Sequence, residues 1–441
     1  MEMWNLKKGY KIINEYFIEP MLKKNDRNIG MELEYPLIMN ENTDAKSLVM
    51  KMFDYLIESF GFKEEKKDIY GNVIRIESKE GDRISADYNY EIIEFAMDKS
   101  LCINDIEKRF IMYFNSVQEF LKKYDAFLTG MGTNLRKKSP DFIYTKDAYC
   151  DAFNGYITQY LNKRLQDAYI CSMQSVQTHL DIDGNELLEQ FNLFTKLDFV
   201  RGILFSNSLP NNNLFPEGVK CDDKTLCVRD FYWQNSGIPN TELIDCEFKS
   251  LEELTEYFSN KKIFIERDKN KLYPIEAISI NDYFEKDDSI EESIKSCRFF
   301  ENVVINLHHT LEFRGDCIQP LKDTFAPSAF NLGISANIKK ADIITKEFFK
   351  KNNIILKNSE LRKYAVLDKK IVDDDIMREF LYKLYDISNE GLVNRGYGEE
   401  KYIECLKERI DRLQCPAKKQ KLLIESGTKS VDEIILDCSK F

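Results

Sequence analysis

Residues 28–39, NIGMELEYPLIM, are an apolar run broken at alternate positions by Glu32 and Glu34. Period-two alternation predicts a β-strand with both carboxylates on one face and Leu33 and Tyr35 on the other. Two carboxylates one strand step apart repel, and burying them unpaired is costly. Their face is therefore either a solvated edge or lies against Arg, Lys or a divalent cation. Residues 47–60, SLVMKMFDYLIESF, repeat apolar side chains at helical spacing and stop at Gly61, a good C-terminal cap. Tyr70-Gly71-Asn72 and Glu80-Gly81-Asp82 then set off VIRIES and RISADYNYEIIEFAM, two strands of an antiparallel meander.

Residues 1–25 read as a short helical lead-in, 103–124 as a long amphipathic helix, and AFLTGMG as a short strand after it. A loop around Ser139-Pro140 precedes a helix over 148–164. Residues 171–183 alternate again, with Ser175, Gln177, His179 and Asp181 on one polar face. A helix over 185–204 leads into a loop rich in Asn, Pro and Gly, 206–240, which carries Arg229, Tyr232 and Trp233 near its end. Loops of that length are often functional, and this one suits a mobile cover. Next come a helix at 251–259, a hairpin about Asp268-Lys269-Asn270 and a helix over 290–304. Residues 305–316 read as a strand with His308, Thr310, Glu312 and Arg314 on one face. From 326 onward the pattern is helical. With no repeat and no low-complexity linker, the expectation is one α+β domain over 1–441, an antiparallel sheet flanked by helices, with a helical last third.

Composition narrows the partners. Of 441 residues, 43% are hydrophobic, and the net charge is −12, with no Lys/Arg run long enough to track a phosphate backbone. Nucleic acid is thereby disfavoured. Eleven cysteines without a CxxC pair read as free thiols of a reducing cytoplasm. The first residues lack a signal peptide's pattern, and no apolar run approaches the ~18 residues that span a bilayer. A soluble cytoplasmic protein is expected.

The polar stripes carry the chemistry. Glu32 and Glu34, then Asp87 and Glu94, then Gln177 and His179, then Glu312 and Arg314 would stand together on one concave face if their strands share a sheet. Such an oxygen-rich site suits Mg2+ or Mn2+. Asp87 and Glu94 are seven apart, so strict alternation opposes them; either a bulge intervenes or only one joins the site. The three histidines, His179, His308 and His309, lack zinc-ligand spacing, and no glycine-rich phosphate loop occurs.

These residues carry a resemblance. GMELEYPL resembles the opening strand of the glutamate–cysteine ligase family, DYNYEIIEF its second acidic segment, SVQTHLDI its third strand, and HTLEFRGDC its fourth. EGLVNRGYGEEKYIECL and Cys415-Pro416-Ala417 are similar to the C-terminal helices of the plant-type branch. The resemblance implies a half-open, funnel-like antiparallel sheet of the glutamine synthetase type. It implies a ligase that uses ATP and Mg2+, or Mn2+, to phosphorylate the γ-carboxylate of glutamate, and then joins it to an amine, cysteine in the best-known members. Carried over, Glu32, Glu34, Asp87, Glu94, His179 and Glu312 would surround the metals, and Arg314 would meet phosphate with Gln177 at the nucleotide. Arg229 and the WQNSGIPN stretch, opening at Trp233, match a substrate-contacting segment in outline. A monomer or homodimer acting on small molecules, without nucleic acid or membrane, is the corresponding expectation. Two rival classes are a divalent-metal phosphohydrolase, which would need Asp/His pairs at short spacing, and a silent regulatory homologue, which would have lost acidic positions that are filled here.

Overall fold

The computed structural model describes residues 7–24, 27–161, 173–215, 219–268, 271–286 and 293–441. Strand β1, Ile29–Ile38, runs through the middle of a nine-stranded sheet. On one side of it lie β5 (Ile92–Ser100), β4 (Arg83–Ala86), β3 (Val73–Glu77) and β2 (Lys63–Lys67), in that order outward. On the other side lie β7 (Ser175–Leu180), β11 (Leu311–Cys317) and β10 (Val303–Ile305), and β6 (Phe127–Leu128) pairs with the end of β1. Every pairing is antiparallel.

The register sorts the side chains. Leu33 stands opposite Phe95 and Val176, Tyr35 opposite Ile93, and Met31 opposite Met97 and Thr178, giving one apolar face. Helices Ala45–Phe60 and Ile103–Lys122 cover it with stripes that include Met52, Phe53, Phe110 and Phe114. Tyr35 packs into this layer, its ring centre 5.0 Å from Phe114, and its hydroxyl reaches Thr324 Oγ1 at 2.6 Å. That contact ties the sheet to the helical C-terminal part, and an apolar face of this kind is what holds the opposite, polar face in place.

Several expectations change. Residues 171–183 and 126–132 shrink to Ser175–Leu180 and Phe127–Leu128, and residues 162–172 lie outside the described residues. The helix over 185–204 is two, Leu187–Lys196 and Asp198–Phe205, broken at Leu197. Residues 293–304 do not form the expected long helix; a short 3-10 turn, Ile294–Ser296, leads into β10. Residues 305–316 are not one strand: β10 and β11 form a hairpin, because the chain turns at 306–310 with His309 at φ 58°. Nor is 206–240 a bare loop: Val228–Asn235 is a helix that carries Arg229, Tyr232 and Trp233. A mobile cover is thereby replaced by a packed one. The β8 (Lys262–Asp268) and β9 (Lys271–Ser279) hairpin forms a separate small sheet, its turn outside the described residues. Strand β2 carries no apolar residue in its sequence KEEKK, so no alternation announces it.

In the C-terminal part, helices Ala326–Ala336 and Asp374–Arg395 cross at two glycines. A Cβ on Gly391 would fall 2.1 Å from the carbonyl oxygen of Gly333, which no relaxation of a side chain relieves. Gly391→Ala should therefore cost about 1–3 kcal/mol of stability, read as a lower urea midpoint with unchanged m-value. An unchanged midpoint would show that the helices can separate freely.

Candidate active site

The polar face of the sheet lines a cavity of about 600 Å³. Across it, Glu34 stands opposite Glu94, which pairs with Ser85 and that in turn with Arg75. Glu32 stands opposite Gln177, and His179 lies between Gly30 and Glu312. The expected stripes therefore share one face. Asp87 joins them by neither expected route: β4 ends at Ala86, the chain reverses over 87–91 with Tyr88 at φ 61°, and β5 begins at Ile92. Alternation does not run through a reversal, so the seven-residue spacing carries no parity.

Oxygens of Glu34, Asp87 and Glu94 lie within 4.8 Å of one another. Glu34 accepts from Ser175 N at 2.8 Å, Ser175 Oγ at 2.9 Å and Gln177 Nε2 at 2.6 Å, while Ser85 Oγ donates to Glu94 at 2.9 Å. Next to this group, His179 Nε2 is 3.5 Å from Glu32. Asn306 Nδ2 donates to Glu312 at 2.8 Å and lies 3.2 Å from His179 Nδ1. Arg314 pairs with the other oxygen of Glu312. It sits in a bulge where the β11–β7 register shifts between Phe313 and Asp316, and its backbone N–H donates to Asn302 O at 2.9 Å.

Arg229 is 4% exposed and donates from Nε to the carbonyl of Arg314 at 3.1 Å. Its guanidinium lies 5.5 Å from the ring centre of Trp233, which stacks on Phe300 at 5.7 Å. Opposite, Arg298 lies 3.9 Å over Tyr149, and Arg75, Arg267 and Lys295 line the same cavity. The sequence offered Arg229 and Trp233 of this basic and aromatic wall and not the rest. Arg75, set between two isoleucines in VIRIE, carried a signal; Tyr149, Arg298 and Asn306 lie in stretches read only as helix or strand and carried none. His308 and His309 sit in the 306–310 turn, and His308 reaches the rim.

Charge divides the site. Burial pushes Asp87 up to about 7, helped by the charges of Glu34 and Glu32, and burial with Asp87 raises Glu94 well above the usual carboxylate range. Burial raises Glu34 as well. Burial would also raise Glu32, but the hydrogen bond and charge of His179, with Arg314, hold it down to about 2. Arg314 likewise overcomes burial to keep Glu312 low. Three carboxylates thus lack enough positive charge, and buried Gln177 Oε1, Arg314 Nε, Trp233 Nε1 and Tyr149 Oη have no hydrogen-bond partner among the described residues. A divalent cation beside an anionic ligand fits both deficits.

By sequence, no family model and no curated protein matches the chain. By structure it resembles a bifunctional glutathione synthetase from Pasteurella multocida, with TM-score 0.54 and 13% identity, over 98% of this chain and 54% of that one. It also resembles a glutamate–cysteine ligase from Francisella tularensis in complex with AMP, with TM-score 0.55 and 12% identity, over 95% and 88% of the two chains. The fold is shared with these enzymes. The chain spans about half the length of the bifunctional one. At these identities the likeness is one of fold, and the site must be argued from its own residues.

Raised carboxylates bind protons more tightly in the folded than in the unfolded chain, so their stabilising protons are fully bound below the ordinary carboxylate range and are lost as pH rises, that of Asp87 through about 7. In chelator, the melting temperature should fall as pH rises from about 5 to about 8, a window above the one in which Glu32 and Glu312 titrate. Mg2+ or Mn2+ should restore it at the upper end. Asp87→Asn should flatten the decline and remove the response to metal. A parent protein whose melting temperature ignores both pH in that window and metal would contradict the assignment.

Proposed function

We propose that the chain is an ATP-dependent carboxylate–amine ligase that activates the γ-carboxylate of glutamate and couples it to an amine, with cysteine as the acceptor. The observation that carries this reading is one cavity in which Glu32, Glu34, Asp87, Glu94 and Glu312 face Arg314 and Arg229, on a fold shared with a glutamate–cysteine ligase. Phosphoryl transfer needs neutralised phosphate oxygens and a positioned cation more than a protein nucleophile. The five carboxylates and His179 would hold divalent ions, Mg2+ or Mn2+, which supply charge neutralisation on the phosphates.

In this reading a γ-carboxylate oxygen of glutamate attacks the terminal phosphorus of ATP and ADP leaves. The amine nitrogen then attacks the acyl carbon, losing a proton as phosphate departs with the bonding electrons. Arg314, aligned by Glu312, faces the phosphoryl group in flight. Gln177 is assigned to the nucleotide. Arg229 binds a substrate carboxylate, and Trp233 stacked on Phe300 keeps water from the acyl phosphate. The product would be γ-glutamylcysteine, a glutathione precursor made in a reducing cytoplasm; the ten described cysteines are all unpaired. The plant-type assignment rests on EGLVNRGYGEEKYIECL and Cys415-Pro416-Ala417. A second reading keeps the chemistry and changes the amine. Arg267 and Arg298 at the cavity wall suit an acceptor with more negative charge than cysteine.

Mass spectrometry of products from glutamate, ATP and a panel of amines decides between them. ADP should appear only with glutamate present, and cysteine should give the highest kcat/KM; an amide to an acidic amine formed faster would replace cysteine, and no amide at all would sink the ligase reading. Arg314→Lys should lower kcat by about a hundredfold with KM for ATP changed little, because an ammonium cannot offer the planar fork. An effect confined to KM would remove Arg314 from the transition state.

A further inference from the structure

Arg229 and Arg314 present two like charges to one buried cavity, and Arg229 donates to the main chain of Arg314. Cations so placed repel, so the backbone that carries them has to be fixed from outside the cavity. Behind them lies Arg362, on helix Asn358–Val366 of the C-terminal part and 1% exposed. Its Nε and Nη2 donate to the two oxygens of Asp230 at 2.5 and 3.2 Å, and Nη2 also donates to the carbonyl of Gly315 at 2.8 Å. Nη1 donates to Asp198 O at 2.8 Å.

Asp230 is the residue after Arg229, and Gly315 is the residue after Arg314. One guanidinium therefore grips the neighbours of both cavity arginines and anchors them to helix Asp198–Phe205. Around it, Arg201 pairs with Asp198 and Asp316, and Asn302 Nδ2 donates to Asp198 at 2.8 Å. The same Asn302 accepts from the Arg314 N–H at 2.9 Å. The fixed fork geometry of Arg matters, because a lysine ammonium has three donors at a point and cannot span Asp230 and Gly315 together.

We propose that Arg362 is a positioning residue that sets the separation and direction of Arg229 and Arg314, so that the helical C-terminal part shapes the site without touching it. This rests on the ligase reading for its kinetic consequence only. The full chain is compared as parent, Arg362→Lys and Arg409→Lys. Arg409 is a second buried guanidinium of the C-terminal part; it binds Leu204 O, Gln319 and Asp323, and grips neither neighbour. Side-chain Nε–H resonances of isotope-labelled arginine are followed, with Arg229 and Arg314 assigned by replacement.

In Arg362→Lys both resonances should shift or broaden, and kcat should fall about tenfold or more with KM for ATP within about twofold. Arg409→Lys should lose comparable melting temperature and leave both resonances and kcat at parental values. Should Arg362→Lys not fold, Asp230→Asn, which weakens the same grip, takes its place. Parental resonances in the folded variant, or equal displacement in Arg409→Lys, overturn the proposal. A parent without ligase turnover would overturn the function reading alone, since the resonances decide the positioning role by themselves.

Discussion

Like charges cannot be gathered on one buried sheet face unless something else pins the backbone and supplies the opposite sign. Glu34, Asp87 and Glu94 sit within a few ångströms of one another, and burial drives each of them toward the protonated form. The opposite face of the same strands keeps them there. Leu33, Tyr35 and Phe95 are sealed by two amphipathic helices, and slipping β1 by one residue to relieve the carboxylates would turn Leu33 and Tyr35 into the cavity.

The second half of the site obeys the same logic with the sign reversed. Arg314 is offset by Glu312 and Glu32, whereas burial lowers Arg229, which has no ion-pair partner among the described residues. Its position comes from hydrogen bonds to backbone and from the aromatic wall of Trp233 and Phe300. An acidic floor and a basic, aromatic wall across one cavity form a place where a polyanion bridged by cations replaces several repulsions with attractions at once.

The carboxylate stripes were legible because alternation is local: each of β1, β5, β7 and β11 announces its own polar face. That these faces coincide was not, since strand order 11-7-1-5-4 joins residues hundreds of positions apart. Two errors share one cause. Residues 87–91 and 306–310 reverse the chain without the Gly-rich turn chemistry that marks a hairpin in sequence; Tyr88 and His309 take the left-handed conformation instead. The helix at 228–235 was hidden for a related reason. Its mean polarity is high, and burial of Arg229 against a carbonyl and Trp233, and of Asp230 against Arg362, replaces the apolar stripe that would have revealed it.

By itself, then, the sequence determined the class of fold, the strands that carry acid, and three polar pairs, each on one face of its own strand: Glu32 with Glu34, Gln177 with His179, and Glu312 with Arg314. These follow from periodicities of two and 3.6 residues, which need no knowledge of distant partners. Only the tertiary structure decided that these pairs share one face, that Asp87 and Glu94 both reach it, that Arg75, Tyr149 and Arg298 wall it, and that Arg362 stands behind two other arginines. Those relations are set by long-range packing and by the pairing of buried charges, and neither leaves a period in the chain.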